Sequence, residues 1–221
     1  MFDYQNDLCE VDDRAFGALS FDPDTRIFQP YLLKRAFDIA GGLCLLVPLA
    51  LAAVLLVMCN PFLNRGPLLF VQDRMGFHCA PFAAFKFRTM SQSTHAVRGA
   101  FDPLETDRIT GLGHFMRKTR IDELPQIINV LRGEMSLIGP RPDSYDHARV
   151  YLREVPGYRD RHQIKPGISG LAQTEIGYVD GLDGVQRKVA ADLHYIANAC
   201  LRFDLWITWR TVVVVLTRRG A

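Results

Sequence analysis

The longest apolar segment of the chain runs from Ile39 to Cys59 and contains no charged residue. As an α-helix rising about 1.5 Å per residue, it would be about 31 Å long, enough to cross the hydrocarbon core of a bilayer. Basic residues flank it on both sides, with Lys34 and Arg35 before it and Arg65 after it. The pattern therefore predicts a membrane helix near the start of the chain.

Pro48 lies near the middle of this apolar run, where a proline removes one backbone hydrogen bond and kinks a helix. Because bases flank both ends, the positive-inside rule assigns neither end to the far side of the membrane. A helix that enters the bilayer, bends at Pro48 and returns to the same face agrees with both observations. A kinked single span and the buried core helix of a globular protein are the alternatives.

Two short apolar stretches after this helix, residues 68–72 and 81–88, predict a β-hairpin around a loop at 75–79. In the second strand two cations, Lys86 and Arg88, alternate with phenylalanines. The alternation predicts that both cations share one face, as a phosphate-binding edge requires. An ordinary solvated face explains the same alternation.

A helix is also predicted after Pro125, because proline suits the first helical turn, the following apolar residues recur at helical spacing, and Gly133 provides a stop. Asp122 and Glu123 would then lie at the N-terminus of this helix, an environment that favours anions. One interpretation is a helix N-cap. The other is a catalytic carboxylate beside a phosphate site.

Basic residues surround this carboxylate pair in the sequence. Arg117 and Arg120 directly precede it, and Arg141 follows between Pro140 and Pro142. Two prolines hold the backbone of Arg141 extended, which suits bidentate binding of a phosphate. A structural turn with an exposed arginine is the alternative.

The remaining chain predicts three helices and one glycine-rich loop. The loop spans residues 165–173, and its candidate anion-binding residues are Lys165, Gly167, Gly170 and Gln173. Helices are predicted at 145–155 and 185–199. The C-terminal segment is apolar and aromatic with terminal bases, which favours a helix in the membrane interface; a core-packing helix is the alternative.

Charge is unevenly distributed along the 221 residues, whose net charge is +2. Residues 1–33 hold seven acids and two bases, a balance of −5, which leaves +7 on the remainder. The acidic segment is predicted to be a flexible tail, and the basic body favours phosphorylated substrates or anionic lipids. No nucleic-acid motif occurs, so nucleic acid is not an expected partner. The five cysteines lack a Cys-x-x-Cys pair, which fits a reducing cytosol.

This inventory of a carboxylate pair, several cations and a membrane helix suits phosphoryl transfer. The six histidines are dispersed, so no histidine metal site is predicted. Cleavage of a pyrophosphate favours a divalent ion, and Mg²⁺ typically binds one or two carboxylates together with substrate phosphates. Asp122 and Glu123 are the candidate metal ligands.

Five motifs in order carry a resemblance to the monotopic phosphoglycosyl transferases, the bacterial sugar transferases of exopolysaccharide and glycan assembly. They follow a proline-containing apolar helix, and the resemblance covers roughly residues 30–221. The motifs are Lys86-Phe87-Arg88-Thr89-Met90, Asp122-Glu123-Leu124-Pro125-Gln126, Arg132-Gly133-Glu134-Met135-Ser136, Gly139-Pro140-Arg141-Pro142 and Lys165-Pro166-Gly167-Ile168-Ser169-Gly170.

The resemblance implies transfer of a sugar-1-phosphate from a UDP-sugar to polyprenyl phosphate, with UMP as the leaving group. It implies that Asp122 is the nucleophile of a phospho-sugar intermediate and that Glu123 assists proton handling or holds Mg²⁺. The phosphates would be held by Lys86, Arg88, Arg117, Arg120 and Arg141, with the loop at 165–170 near the nucleotide.

One departure from the family pattern follows this loop. Many members continue with a Gln-Val-x-Gly-Arg-like stretch, whereas this chain has Gln173-Thr174-Glu175. A base is lost and an acid gained, which puts the sugar or nucleotide contacts of this part in doubt.

The sequence thus predicts a mainly helical α+β fold with a Pro-broken re-entrant helix at 34–65, a small β-hairpin, and a catalytic domain at 66–221 that ends in an interfacial helix. The expected location is the cytoplasmic face of a bacterial inner membrane, in contact with its lipids. Both a monomer and a homo-oligomer are compatible with the sequence. The alternative functions are an inactive membrane adaptor and a phosphatase acting on lipid pyrophosphates.

Overall fold

The computed structural model describes residues 31–91, 99–102, 105–177 and 181–217. The tail predicted for residues 1–33 therefore lies almost wholly outside the described residues. The first helix, α1, spans Tyr31–Leu63, so it begins ahead of the predicted boundary and continues through Pro48 and Pro61.

Most apolar side chains of α1 are exposed rather than packed in a core. Among the described residues, this is the one helix long and apolar enough to cross a membrane, and 11% of its apolar window is buried. A core helix of a globular protein would bury its apolar face, so that alternative does not hold. The bend at Pro48 stays a prediction.

Both ends of α1 are bound to the rest of the protein. At the N-terminal end, the Lys34 ammonium lies 2.8 Å from a carboxylate oxygen of Asp204, and Arg35 donates to two carbonyls in the last turn of the helix that ends at Arg132. At the other end, Asn64 donates to the carbonyl of Arg88 over 2.7 Å. The two ends of the helix are therefore fixed on a single domain.

The predicted hairpin is confirmed. Strands β1 (Leu69–Met75) and β2 (Pro81–Phe87) pair antiparallel, with Leu69 opposite Phe87 and Met75 opposite Pro81. A short 3₁₀ turn, Phe77–Cys79, connects them.

The domain is otherwise mainly helical, as predicted. Its α-helices are α2 (Gly111–Lys118), α3 (Ile127–Arg132), α4 (Tyr145–Glu154), α5 (Leu171–Glu175), α6 (Gly181–Ala197) and α7 (Leu201–Leu216), and 3₁₀ segments occupy Thr106–Arg108, Ile121–Gln126 and Tyr158–Gln163. The predicted helices at 145–155 and 185–199 correspond to α4 and α6.

A second, parallel pair of strands was not predicted. Strands β3 (Ser136–Ile138) and β4 (Gly167–Ser169) pair with each other, and the latter lies within the predicted glycine-rich loop. The glycines there permit close backbone packing, since a Cβ on Gly167 would lie 2.1 Å from the Gly139 nitrogen and one on Gly170 would lie 2.2 Å from the Gly139 carbonyl oxygen. Strands of three residues carry too little periodicity to be recognised.

The C-terminal helix α7 has one buried face, as the core-packing alternative predicts, and one exposed apolar face. Phe203 and Ile207 are buried in a core cluster that includes Leu171 and Tyr195. On another face, spaced at i, i+4, i+7 and i+11, an apolar stripe is exposed: Leu205, Trp209, Val212 and Leu216. Tryptophan among exposed apolar residues is typical of membrane interfaces.

Candidate functional site

Glu123 lies at the centre of a cluster of cations. Its carboxylate accepts a hydrogen bond from the Lys86 ammonium over 2.8 Å and one from the Arg120 guanidinium over 3.3 Å. Arg141 binds it through both terminal nitrogens, one of them over 2.9 Å. Three of the predicted phosphate-binding cations thus converge on the second carboxylate of the Asp-Glu pair.

A tight turn presents the carboxylates. Arg120 adopts a left-handed conformation at φ 58° and caps the 3₁₀ segment Ile121–Gln126, so Asp122 and Glu123 lie inside its first turn. The N-cap interpretation of Asp122 is therefore wrong, because Arg120 occupies the cap position. The segment runs directly into α3, which begins at Ile127 and ends at the predicted stop, Gly133.

Asn129 holds strand β2 against this turn. Its side-chain amide donates to the carbonyl of Ala83 over 2.8 Å and accepts from the backbone N–H of Phe85 over 3.2 Å. These two backbone groups belong to the residues before and after Ala84, and a neighbouring strand would pair with the same groups. The buried amide of Asn129 therefore takes the place of a neighbouring strand. The register of β2 against α3 brings Lys86 to Glu123.

Asp122 is buried without a hydrogen bond to one of its oxygens. Its exposed fraction is 7%, and Oδ1 has no hydrogen-bond partner among the residues that the structure describes. Burial, together with the negative charge of Glu123, raises the pKa of Asp122 to about 6, against the opposing influence of Lys86 and Arg141. The result is a desolvated carboxylate that is ionised at neutral pH and has a free oxygen.

Glu123 has the opposite electrostatic character. Burial alone would raise its pKa, but Arg141 and Lys86 outweigh that effect and hold the pKa well below its usual range. Burial lowers the pKa of Lys86 to about 8, although Glu123 opposes this shift. The adjacent carboxylates therefore differ in kind: Glu123 is permanently ionised and paired, whereas Asp122 is unpaired at one oxygen.

Arg88 and Arg117 lie in different surroundings from Lys86. The Arg88 guanidinium donates to the carbonyls of Pro67, over 2.8 Å, and Asn64. It fixes the chain between α1 and β1, so the structure separates it from Lys86 despite their alternation in sequence. Arg117 donates through Nε to the Thr89 hydroxyl over 3.0 Å.

The glycine-rich loop contributes mainly packing. Gly167 and Gly170 contact the backbone of Gly139, as described above. Gln173 donates to the carbonyl of Ile168 over 3.1 Å, while its buried Oε1 has no hydrogen-bond partner within the described ranges. Lys165 lines a cleft of about 250 Å³ together with hairpin residues that include Phe77 and Phe82.

Two arginines that lie outside the predicted motifs, Arg74 and Arg161, bind the backbone of the Arg141 segment. Arg161 donates to the carbonyl of Arg141 over 2.7 Å, and Arg74 donates to that of Pro142. Arg161 is 1% exposed and is paired with the carboxylates of Asp143 and, over 2.6 Å, Asp192. A single arginine that belongs to no recognisable motif gives no sequence signal, and only its buried contacts identify it.

The donor set fits a magnesium ion that one carboxylate shares with substrate phosphates. In the described parts of the chain no group of three or more His, Cys, Asp or Glu side chains is arranged to hold a metal. The unpartnered Oδ1 of Asp122 suits a hard cation. Glu123 is the poorer candidate of the two, since it would have to give up an ion pair with Lys86, Arg120 or Arg141.

Comparison with known proteins assigns the family. The sequence profile of bacterial sugar transferases matches residues 29–218, which is most of the chain. The chain belongs to the bacterial sugar transferase family.

Three relatives illustrate the range of this sugar transferase family. A UDP-N-acetylgalactosamine-undecaprenyl-phosphate N-acetylgalactosaminephosphotransferase of Aeromonas hydrophila is 41% identical over 86% of this chain and 45% of its own length. The exopolysaccharide production protein PSS of Rhizobium leguminosarum bv. phaseoli is 38% identical over 85% of this chain and 96% of its own. A UDP-glucose:undecaprenyl-phosphate glucose-1-phosphate transferase of Caulobacter vibrioides is 39% identical over 86% and 72%.

The chain thus spans a little under half the length of the Aeromonas protein and nearly all of the Rhizobium one. At Glu175, where the chain departs from the family pattern, the acid forms an ion pair within the fold. Glu175 binds the Arg210 guanidinium through both carboxylate oxygens, at 2.9 and 3.0 Å. The acid therefore ties the short helix α5 to the C-terminal helix α7.

Proposed function

We propose that this protein transfers a sugar-1-phosphate from a UDP-sugar to undecaprenyl phosphate or a similar polyprenyl phosphate, the initiating step of exopolysaccharide or other surface-glycan synthesis. The observation that carries the proposal is the contrast between the two carboxylates. Asp122 is desolvated with an unpartnered oxygen, and Glu123 next to it gathers three cations. The names of the relatives supply the substrate class.

In the first step, an oxygen of Asp122 attacks the sugar-bearing phosphorus of the UDP-sugar. The bond from that phosphorus to the bridging oxygen breaks, and UMP leaves with the bonding electron pair. A phospho-aspartyl sugar results, and the step needs no proton transfer. A carboxylate that has already lost most of its water is a stronger nucleophile, because it need not be desolvated during attack.

In the second step, a phosphate oxygen of the lipid acceptor attacks the same phosphorus. The bond to Asp122 breaks, the polyprenyl-diphosphate sugar leaves, and the carboxylate is regenerated. The two half-reactions are chemically alike, so one arrangement of charges serves both.

The cations around Glu123 stabilise the charge that develops on the phosphoryl oxygens. Arg141 uses two of its five N–H donors on Glu123, and the others remain for a phosphate. Lys86 likewise has further donors beyond the one that Glu123 accepts. Glu123, permanently ionised, keeps these cations in place rather than exchanging a proton. When bound, a magnesium ion held by Asp122 and the substrate phosphates would neutralise part of the pyrophosphate charge.

A re-entrant path for α1 at the cytoplasmic face belongs to the same proposal. A straight helix of 33 residues would be about 50 Å long and would carry its ends to opposite sides of a bilayer core about 30 Å thick. Both ends of α1 are instead bound to one domain. A bend at Pro48 would let the exposed apolar face of α1 enter the lipid while the site meets cytosolic UDP-sugars.

The decisive experiment incubates the purified full chain in detergent with a panel of radiolabelled UDP-sugars and undecaprenyl phosphate. We expect label in the lipid fraction for at least one sugar, with release of an equal amount of UMP. Asp122→Asn should abolish both products. The matched control, Asp73→Asn, removes an exposed carboxylate from β1 and should retain full turnover.

Each alternative function predicts a different result. Free sugar phosphate without labelled lipid would indicate a hydrolase. Neither product with any sugar would indicate an adaptor. Turnover of Asp122→Asn above a tenth of the normal rate would exclude Asp122 as the nucleophile.

A further inference from the structure

We infer that Phe70 binds the prenyl chain of the lipid acceptor next to its phosphate, and so forms an acceptor-specific part of the site. The inference rests on the proposed function, because it assumes a polyprenyl phosphate acceptor. It combines the register of the hairpin, the exposure of one phenylalanine and the position of β1 directly after the apolar helix.

The register places Phe70 beside the charged cluster. Phe70 and Lys86 are direct partners in the antiparallel ladder. Side chains of directly opposed residues lie on the same face of a sheet, with Cβ atoms about 4.5–5.5 Å apart. Because the Lys86 ammonium binds Glu123 at 2.8 Å, the ring of Phe70 projects from the strand face that also carries this catalytic cation.

Phe70 is nevertheless exposed. Its exposed fraction is 46%, although Ala84, two positions along β2 on the same face, is almost completely buried. On this face of the hairpin, the side chains are therefore buried at Ala84 and become exposed toward the start of β1. An aromatic ring at this open end offers an apolar contact next to a phosphate-binding cation.

The open end of the hairpin follows the exposed apolar end of α1 directly in the chain. Phe62 and Leu63 end the helix with exposed fractions of 80% and 60%, and β1 begins at Leu69. Arg88 fixes the short connection by binding the carbonyls of Asn64 and Pro67. Exposed apolar side chains thus occur both at the end of the predicted membrane helix and at Phe70, the strand partner of Lys86, and in our inference they form one apolar path.

This sequence of surfaces matches the chemistry of a polyprenyl phosphate. Its phosphate requires cations, the first isoprene units follow directly, and the rest of the chain lies in lipid. A UDP-sugar has no apolar chain that could bind along this path. Phe70 should therefore act on the acceptor half-reaction alone.

The test compares Phe70→Ser with Val71→Ser in the full chain, in detergent micelles with defined mole fractions of undecaprenyl phosphate. Val71 is the next residue of β1, points to the other face and has a similar exposed fraction, 51%. We expect Phe70→Ser to raise the acceptor KM about tenfold, as expected when roughly half the burial of a phenylalanine is lost. Val71→Ser should leave it within about twofold, a change too small for the loss of an apolar contact.

A second measurement separates the acceptor step from the donor step. Single-turnover release of UMP without acceptor reports the first half-reaction, and Phe70→Ser should leave its rate and the UDP-sugar KM unchanged. Phe70→Leu keeps an apolar side chain and should restore most of the acceptor affinity. Circular dichroism and the thermal midpoint verify that each variant is folded.

Three outcomes would overturn the inference. Equal effects of the two serine variants would indicate that β1 contacts lipid without specificity for the acceptor. A raised UDP-sugar KM would place Phe70 in the donor site. An unchanged acceptor KM would show that the ring binds nothing. If the unmodified protein releases no UMP and labels no lipid, the proposed function itself has failed, which is a different result.

Discussion

The guanidinium group of Arg161 donates a hydrogen bond to the backbone carbonyl of Arg141 over 2.7 Å, while the side chain of Arg141 holds Glu123 through two nitrogens. A buried arginine thus positions a second arginine through its backbone. The two flanking prolines have no N–H with which to fix this stretch, so the carbonyls are the groups available for anchoring.

Arg161→Lys should lower kcat at least about tenfold, because an ammonium cannot bind two carboxylates and a carbonyl in the same planar geometry. The matched control is Asp192→Asn, which loosens the same buried cluster without touching the Arg141 carbonyl. We expect it to lower the thermal midpoint as much as Arg161→Lys does and to reduce kcat much less.

A double-mutant cycle distinguishes positioning from general destabilisation. If Arg161 acts through Arg141, its substitution should have little further effect on kcat in an Arg141→Lys background. Losses that simply multiply would show that the two residues act independently.

Asp122→Asn should stabilise the protein while abolishing transfer. The pKa of Asp122 is raised to about 6 in the folded state, chiefly by burial. The stabilisation from its protonated form is therefore fully present below the unfolded value of about 4 and is lost as the pH rises through about 6. Ionised Asp122 is then a net cost, so at pH 7.5 the variant should unfold at least about 2 °C higher. A lower midpoint would contradict a destabilising charge at this position.

The pH dependence of kcat/KM for the UDP-sugar should be bell-shaped. Below about pH 6, protonation of Asp122 in the free enzyme removes the proposed nucleophile, and kcat/KM should fall about tenfold per pH unit. Burial lowers the pKa of Lys86 to about 8, so its positive charge is lost above that pH. Lys86→Arg should move the alkaline limb upward, since a guanidinium stays protonated. An unchanged alkaline limb in this variant would assign it to another group.

Removal of divalent ions should abolish transfer, and Mg²⁺ should restore it. Because Asp122 is the carboxylate with an unpartnered oxygen, the metal needs substrate phosphates to complete its coordination. Isothermal titration should detect Mg²⁺ binding with UDP-sugar present and little without it. Turnover that survives exhaustive EDTA treatment would contradict a metal requirement.

If α1 follows the proposed re-entrant path, both of its ends face the cytoplasm. Leu33→Cys and Leu63→Cys, made separately in a chain whose five native cysteines are replaced, place thiols at exposed positions near the two ends. Neither should react with an impermeant thiol reagent in intact cells, and both should react once the cells are opened. Labelling of one position in intact cells would indicate a span. Pro48→Ala should straighten the helix and produce such labelling in part of the population.

The sequence by itself determined the elements whose pattern is local. The uncharged run from Ile39 to Cys59 specified α1, alternation and turn residues specified the hairpin, and helical periodicity specified α4, α6 and α7. The order of the motifs indicated the family, and with it Asp122 and Glu123 as the candidate catalytic residues. Each of these signals lies within a few residues of chain, where spacing and side-chain type carry the information.

Only the tertiary structure decided which cations bind the carboxylate pair and which bind other parts of the fold. Lys86 and Arg88 are two residues apart, yet one binds Glu123 and the other binds the end of α1. Arg161, which no motif indicated, supports Arg141 from 20 positions away. Each contact depends on backbone carbonyls and carboxylates that come together only when distant segments pack. Such partners impose no periodicity on the chain, so spacing along the sequence does not show which arginine serves the site and which serves the fold.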